Sequence, residues 1–171
     1  MIARELLSSS ALATLQESGE LFAVLDACDA PAVPLLCEGL GPERSVSLYR
    51  GGAEEEYADI APYLVHVDSA ELLEWIVRFS ETEGWGILVV APVTLEALRT
   101  HLRKFLKVQD PSGARVYFRF YDPRVLEIFL PTCDDAQLAL FFGPVRSYGV
   151  RSPEGDFTRF RFAGAERSVS G

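Results

Sequence analysis

Three aspartates lie where they could take part in chemistry. Asp26, Asp68 and Asp122 each follow a predicted apolar strand, and the ligands of open α/β sheets gather at such strand ends. With Arg119 they could act on an anionic small molecule. Each aspartate also suits a turn or a helix cap, which is the interpretation we favour. The sequence has no GxSxG, Walker or HExxH motif and no evident nucleophile–base pair. We therefore predict no catalytic residues, with a small α/β enzyme as the alternative.

The cysteines and histidines argue against a metal site. Cys28, Cys37 and Cys133 are widely spaced without a CxxC pair, and only His66 and His101 could add imidazoles. We expect no metal and no cofactor. The cysteines lie in largely apolar surroundings, which predicts reduced, buried thiols in a cytoplasmic protein. The first residues lack a basic start followed by a long apolar stretch, so we expect no signal peptide.

The most informative stretch is RVYFRFYDPR, at Arg115–Arg124. Its alternation predicts a half-buried strand that places Tyr117, Arg119 and Tyr121 on one face. Asp122 can then cap a helix, with the following proline at its first position. The tyrosine–arginine face is either core packing or a cationic surface for a carboxylate, a phosphate or a partner backbone. The residue types alone leave both interpretations open.

A second basic face is predicted on the helix that begins after Thr94. Arg99, Arg103 and Lys107 recur every four residues, opposite an apolar side. This face is either simply solvated or a docking surface for an acidic partner.

Composition limits the classes of partner. The chain has 171 residues, 49% of them hydrophobic, and a net charge of −9. An acidic protein binds nucleic acid poorly. No apolar run reaches the roughly 18 residues that a membrane-spanning helix needs. We therefore expect neither nucleic acid nor a membrane as a partner.

Predicted strands alternate with predicted helices through most of the chain. The apolar runs at Leu21–Leu25, Tyr63–Val67 and Trp85–Ala91 indicate buried central strands. This order predicts a single α/β domain, whose mixed, largely parallel sheet is flanked by helices and ends in a C-terminal hairpin. We divide the chain into an N-terminal helical segment (1–20), an α/β domain (21–150), and a C-terminal strand with a frayed tail (151–171).

Five stretches together resemble one known family. They are LFAVLDAC (Leu21–Cys28), PYLVHVD (Pro62–Asp68), WGILVVAPVTLEALRTHLRKFLKV (Trp85–Val108), FRFYDPRVLEIFLPT (Phe118–Thr132) and FFGPVRSYGV (Phe141–Val150). Their order and spacing resemble the adaptors, or effector chaperones, of type VI secretion systems, which are also called the Tap or TEC group. The resemblance covers roughly residues 21–150.

The resemblance implies an adaptor and not an enzyme. Members of this family act in the cytoplasm of Gram-negative bacteria, where they bind an effector toxin and help to load it on the spike through VgrG or a PAAR-containing tip. The expected bound part of the toxin is its delivery or N-terminal segment. A toxin-masking inhibitor, which would bind the catalytic domain instead, is a further alternative. Many family members carry a second C-terminal lobe, whereas only about twenty residues follow the matched region here.

We predict eight partner-binding residues from the motif and from the basic helix. The resemblance carries over the motif residues Trp85, Arg119, Tyr121, Asp122, Pro123 and Arg124, and all of these except Pro123 enter the predicted set. The basic helix and the strand before the motif add Arg99, Arg103 and Tyr117. The resemblance implies that the motif serves fold maintenance as much as cargo contact, so the eight residues are candidates for partner binding.

Overall fold

A computed structural model describes residues 1–164 of the protein, which form one large sheet between two layers of helices. The strands are β1 (Ile2–Leu7), β2 (Leu21–Asp26), β3 (Ser45–Ser47), β4 (Pro62–His66), β5 (Gly86–Val90), β6 (Lys107–Gln109), β7 (Arg115–Tyr117), β8 (Ser147–Arg151) and β9 (Phe157–Phe162). The helices are α1 (Ser9–Glu17), α2 (Ala32–Leu40), α3 (Gly52–Glu56), α4 (Ala70–Phe79), α5 (Leu95–Arg103), α6 (Pro123–Phe129) and α7 (Asp135–Phe142), and a 3₁₀ turn covers Leu130–Thr132.

The sheet is antiparallel throughout, so the prediction of a largely parallel sheet was wrong. Seven strands follow the order β1-β9-β8-β5-β2-β4-β3, and each neighbouring pair runs antiparallel. The crossovers from β2 to β3 and from β4 to β5 do connect parallel strands. Each of them passes over one strand that lies between the two, β4 in the first case and β2 in the second. Alternating strands and helices therefore did not imply parallel neighbours.

The apolar runs result from burial on both faces of the sheet. In β2, Phe22 and Val24 join a core with α5, α6 and α7, whereas Leu21, Ala23 and Leu25 join a second core with α1, α2 and α4. Helices on both faces require apolar residues at every position of a central strand, whatever the direction of its neighbours. The flanking helices were predicted correctly.

The predicted N-terminal helix begins later than expected. Ile2–Leu7 form strand β1, which pairs with β9, and α1 begins only after Ser8, whose Oγ accepts a hydrogen bond from the Ala11 amide at 3.1 Å. On β1, Glu5 forms ion pairs with Arg159 and Arg161. These cross-strand contacts favour the extended form of a segment that also fits a helical pattern.

Side-chain caps begin the longer helices. Ser69 accepts from the Leu72 amide at 3.2 Å to begin α4, and Thr94 accepts from the Ala97 amide at 3.2 Å to begin α5. Asp134 forms a capping box at α7. These contacts satisfy backbone donors that an unprotected helix start leaves free.

The C-terminal hairpin is confirmed as β8 and β9. Of the predicted frayed tail, residues 165–171 lie outside the described part of the chain. Within residues 1–164, no helix is long and apolar enough to cross a membrane.

Candidate functional site

The RVYFRFYDPR stretch forms less strand than predicted. Only Arg115–Tyr117 are extended, and they pair with β6 in a small, separate sheet. The chain then turns, with the Asp122 amide donating to the Arg119 carbonyl at 3.0 Å. This turn breaks the period of two, so Tyr121 is buried while Tyr117 stays exposed. The prediction of one continuous strand was therefore wrong, although Tyr117 and Tyr121 both lie beside Tyr49.

The motif lies against one end of the large sheet. Asp26 ends β2 here, Trp85 precedes β5, and Tyr49 follows β3. The antiparallel order brings these positions together, because the end of β2 lies beside the start of β5. We refer to Tyr49, Trp85 and residues 119–124 at this place as the motif end of the sheet.

Arg119 joins the motif to the sheet through Asp26. The Asp26 carboxylate is only 4% exposed; its Oδ1 accepts from the Cys28 amide at 3.0 Å, and its Oδ2 accepts from Nη2 of Arg119. The guanidinium of Arg119 also lies 5.8 Å from the ring centre of Tyr121. The Arg119 side chain remains 45% exposed. Nη2 of Arg119 therefore neutralises the buried Asp26 carboxylate, and the remaining N–H groups of the guanidinium are open to solvent.

Asp122 and Arg124 form the start of α6. Asp122 caps the helix, as predicted, with Oδ1 accepting from the Arg124 amide at 3.0 Å. The guanidinium of Arg124 donates to both carboxylate oxygens of Asp122, at 3.0 and 2.7 Å, and to Glu83 at 2.7 Å. Burial alone would raise the pKa of Asp122, but its hydrogen bonds and ion pair with Arg124 lower that pKa below the ordinary value. Arg124 thus fastens α6 to the turn before Trp85.

Four tyrosines lie at the motif end, of which Tyr57 and Tyr117 are exposed and Tyr49 and Tyr121 are buried. The ring of Tyr49 meets those of Tyr57 and Tyr117 edge-on, with centres 6.5 and 6.0 Å apart. Tyr117 is 53% exposed, and the ammonium of Lys107 lies 5.7 Å from the centre of its ring. We call Tyr49, Tyr57, Tyr117, Tyr121 and Arg119 the tyrosine–arginine patch.

Burial and neighbouring groups keep the inner tyrosines of the patch protonated. Burial, with the phenols of Tyr117 and Tyr121 beside it, raises the pKa of Tyr49. Burial and the Asp26 carboxylate raise the pKa of Tyr121 to about 12. The exposed members of the patch, Tyr57, Tyr117 and Arg119, therefore rest on buried neutral phenols, and their side-chain types suit binding of polar and aromatic groups.

Arg99 and Arg103 lie inside the fold more than on a solvated face. The Arg99 side chain is 11% exposed; it donates to the Tyr49 carbonyl at 2.9 Å and forms ion pairs with Glu54 and Glu96. Arg103 donates to the Leu48 carbonyl. These two arginines hold the segment that presents Tyr49, so they position the patch.

Trp85 is a core residue at the edge of a cleft. It is buried and packs edge-on against Phe157, with ring centres 6.2 Å apart. The cleft has a volume of about 430 Å³ and is also lined by Arg124 and Arg151. Arg124 is already ion-paired, and Arg151 donates to the Val77 carbonyl and to Ser80 Oγ, each at 2.7 Å. Both cations are therefore already engaged within the protein.

The three aspartates of the alternative enzyme do not form one site, because Asp68 lies apart from Asp26 and Asp122. Asp68 follows β4, which runs opposite to β2, so it lies at the other end of the sheet from Asp26. There Asp68 forms a bidentate ion pair with Arg44, whose Nε and Nη2 donate to the two carboxylate oxygens at 2.7 and 2.6 Å. This pair lowers the pKa of Asp68. Among residues 1–164, no group of three potential metal ligands comes together. The prediction of buried thiols was right for Cys37 and wrong for Cys28, which is exposed.

Several residues of this site were not among the predicted set. Tyr49 and Tyr57 were not singled out, and Asp26 was taken as a turn or cap residue without its partner Arg119. Asp26 and Arg119 are 93 residues apart, so the sequence had no local signal for their contact. The available hint was that Tyr49 and Tyr57 each lie next to a charged residue, Arg50 and Glu56.

One comparison with known proteins gives a match, and it covers most of the chain. A family model described as "Domain of unknown function (DUF4123)" matches residues 21–140. Neither the curated proteins nor the solved structures include a significant match. The matched region contains the whole of the motif end and most of the chain, and the protein therefore belongs to the DUF4123 family.

Proposed function

We propose that this protein is a cytoplasmic adaptor that binds an effector toxin of a type VI secretion system and helps to load it on the VgrG or PAAR component of the spike. Two findings support the proposal. The chain belongs to the DUF4123 family, and its motif resembles that of type VI effector chaperones. The proposal gives the protein no catalytic role.

The tyrosine–arginine patch is the observation that carries the proposal. Tyrosine and arginine dominate the binding energy of many protein interfaces, because they combine a large contact area with directed hydrogen bonds. Here Tyr117 and Arg119 are partly exposed. Their surroundings hold them in place, since Tyr49 packs on Tyr117 and Asp26 pairs with Arg119. Such prior order reduces the entropy lost on binding.

The first experiment identifies the partner. The protein is affinity-purified from its native cytosol at moderate salt, and the bound proteins are identified by mass spectrometry. The proposal expects one large toxin together with a spike component. Toxin fragments then separate loading from inhibition, because an adaptor binds the delivery segment, whereas a toxin-masking inhibitor binds the catalytic domain.

The second experiment tests the patch with a matched pair of variants. Tyr117→Ala removes an exposed ring and leaves the Asp26–Arg119 pair intact. We expect it to weaken toxin binding about ten-fold or more, as at an interface hot spot. Ile128→Ala is the control, since Ile128 is exposed on α6 and lies outside the patch. If a folded Tyr117→Ala protein binds the toxin as tightly as the Ile128→Ala control, the patch is not the binding site.

A further inference from the structure

The outer edge of β1 is a long, open strand edge. β1 is the last strand on its side of the sheet, and no described residue pairs with its outer edge. It has six residues, whereas β3 at the opposite edge has three. An edge of this length presents a row of backbone donors and acceptors that another strand can use.

The hairpin register shows which backbone groups are free. The Ser152 amide donates to the Asp156 carbonyl at 2.7 Å, which fixes the pairing phase of β8 and β9. Even-numbered residues of β9 therefore bond to β8, and odd-numbered ones bond to β1. Since Ile2 lies opposite residue 162, the amides and carbonyls of Ile2, Arg4 and Leu6 point away from the sheet.

The side chains of these same residues border a groove. The groove has a volume of about 440 Å³, and its walls include Ile2, Arg4, Leu130, Pro131 and Leu138. Further along the strand, Leu6 projects on the same face and is 75% exposed. Apolar side chains of an added strand would therefore find apolar surface on this face.

Arg4 indicates the charge of the occupant. Its guanidinium lies over the ring of Phe160, at 5.0 Å from the ring centre. Within residues 1–164 it has no ion-pair partner, unlike Arg159 nearby, which is paired with Glu5. An exposed cation beside a free edge favours a strand that brings a carboxylate opposite it.

A second copy of this chain fits the edge poorly. Because Ile2, Arg4 and Leu6 carry the outward backbone groups, two antiparallel β1 strands can bond only with these even-numbered residues opposite one another, and one of the two registers nearest to full overlap places Arg4 opposite Arg4 of the second copy. If they slide by two residues toward the C-terminal end, Glu5 lies opposite its own copy. Like charges directly opposite each other destabilise a strand pair.

We propose that the free edge of β1 binds an extended segment of another protein by strand addition. The bound segment runs antiparallel to β1, places a carboxylate opposite Arg4, and places apolar residues two positions to either side of that carboxylate. This surface is separate from the tyrosine–arginine patch, so it gives the protein a second contact for a partner chain.

A synthetic peptide tests the backbone part of this proposal. The probe is fluorescein-labelled Lys-Thr-Val-Thr-Asp-Thr-Val-Thr-Lys, and its binding is followed by fluorescence anisotropy. Methylating the amide of the central aspartate removes a donor that faces the edge, and should weaken binding about five-fold or more. Methylating the amide of a neighbouring threonine, which faces solvent, should change it little. Equal effects of the two methylations, or no saturable binding at about 1 mM peptide, overturn the proposal.

Variants of the protein test the side chains and the edge separately. Arg4→Glu should weaken binding about ten-fold, and a probe with lysine in place of aspartate should restore it. Leu6→Pro removes one outward donor without touching the ladder to β9, and should weaken binding more than Leu6→Ala does. Arg78→Glu on α4 is the charge control. Unchanged binding by a folded Arg4→Glu variant contradicts the proposal. The peptide assay uses no secretion component, so its failure leaves the adaptor proposal standing.

Discussion

Replacing Arg119 with alanine should destabilise the protein by leaving the Asp26 carboxylate buried without its cation. Removing one partner of a fully buried ion pair costs about 3–5 kcal/mol, whereas an exposed pair contributes about 0–1 kcal/mol. Asp26 is 4% exposed and the Arg119 side chain 45%, so this pair lies between the two limits. We expect Arg119→Ala to lower the free energy of unfolding by about 2 kcal/mol.

Urea denaturation, followed by the fluorescence of the two tryptophans, measures this loss. Asp26→Asn keeps an acceptor for the Cys28 amide and removes the charge. In the double variant, Arg119→Ala should then cost at least 1 kcal/mol less than it does alone. Arg78→Ala is the control, because its pair with Glu74 is exposed on both sides; it should change stability by less than about 0.5 kcal/mol. If Arg119→Ala costs no more than this control, the pair does not anchor the motif and the reasoning fails.

Two further predictions concern the start of α6 and the start of β5. The pKa of Asp122 is lowered in the folded state, so its ion pair with Arg124 contributes stability above the unfolded-state pKa of about 3.9, and that stability is lost as pH falls through the folded-state pKa. The stability difference between wild type and Arg124→Ala, from urea melts at several pH values, should therefore shrink below about pH 4; a constant difference would count against the pair. Gly86→Ala should prevent folding, because a Cβ there would lie 2.0 Å from the Val24 carbonyl oxygen at a φ of +139°. Gly39→Ala, in α2 with no atom near the added Cβ, should instead stabilise the protein by about 0.5–1 kcal/mol; circular dichroism and thermal melts of both variants check this contrast.

The elements that could be predicted from sequence depend on local chemistry. β2 and β5 are apolar at nearly every position, and Ser69, Thr94 and Asp122 are good caps directly before helical patterns. These signals act over a few residues, so no knowledge of the rest of the fold is needed. β1 was missed because its leucines fit a helical stripe as well as a strand face, and only pairing with β9 decides between the two.

The direction of the strands and the contacts of the motif depend on distant residues. The apolar runs report burial on both faces, which parallel and antiparallel sheets satisfy equally well when helices cover both sides. Similarly, a periodic arginine such as Arg99 looks solvated on a helical wheel. In the fold, the guanidinium of Arg99 donates a hydrogen bond to the carbonyl of Tyr49, which is 50 residues away. Which residues contact each other over such sequence separations can be read only from the folded chain.

The pairing of β1 with β9 also determines when the protein can fold. Glu5 and its partner Arg159 are 154 residues apart in the sequence, and a ribosome adds about 5–20 residues per second. Roughly 8–30 s therefore pass between the synthesis of β1 and the synthesis of β9. During this time both edges of β1 are unpaired, so β1 is the segment of the nascent chain most in need of protection from other chains. Completion of the sheet is consequently among the last events of synthesis.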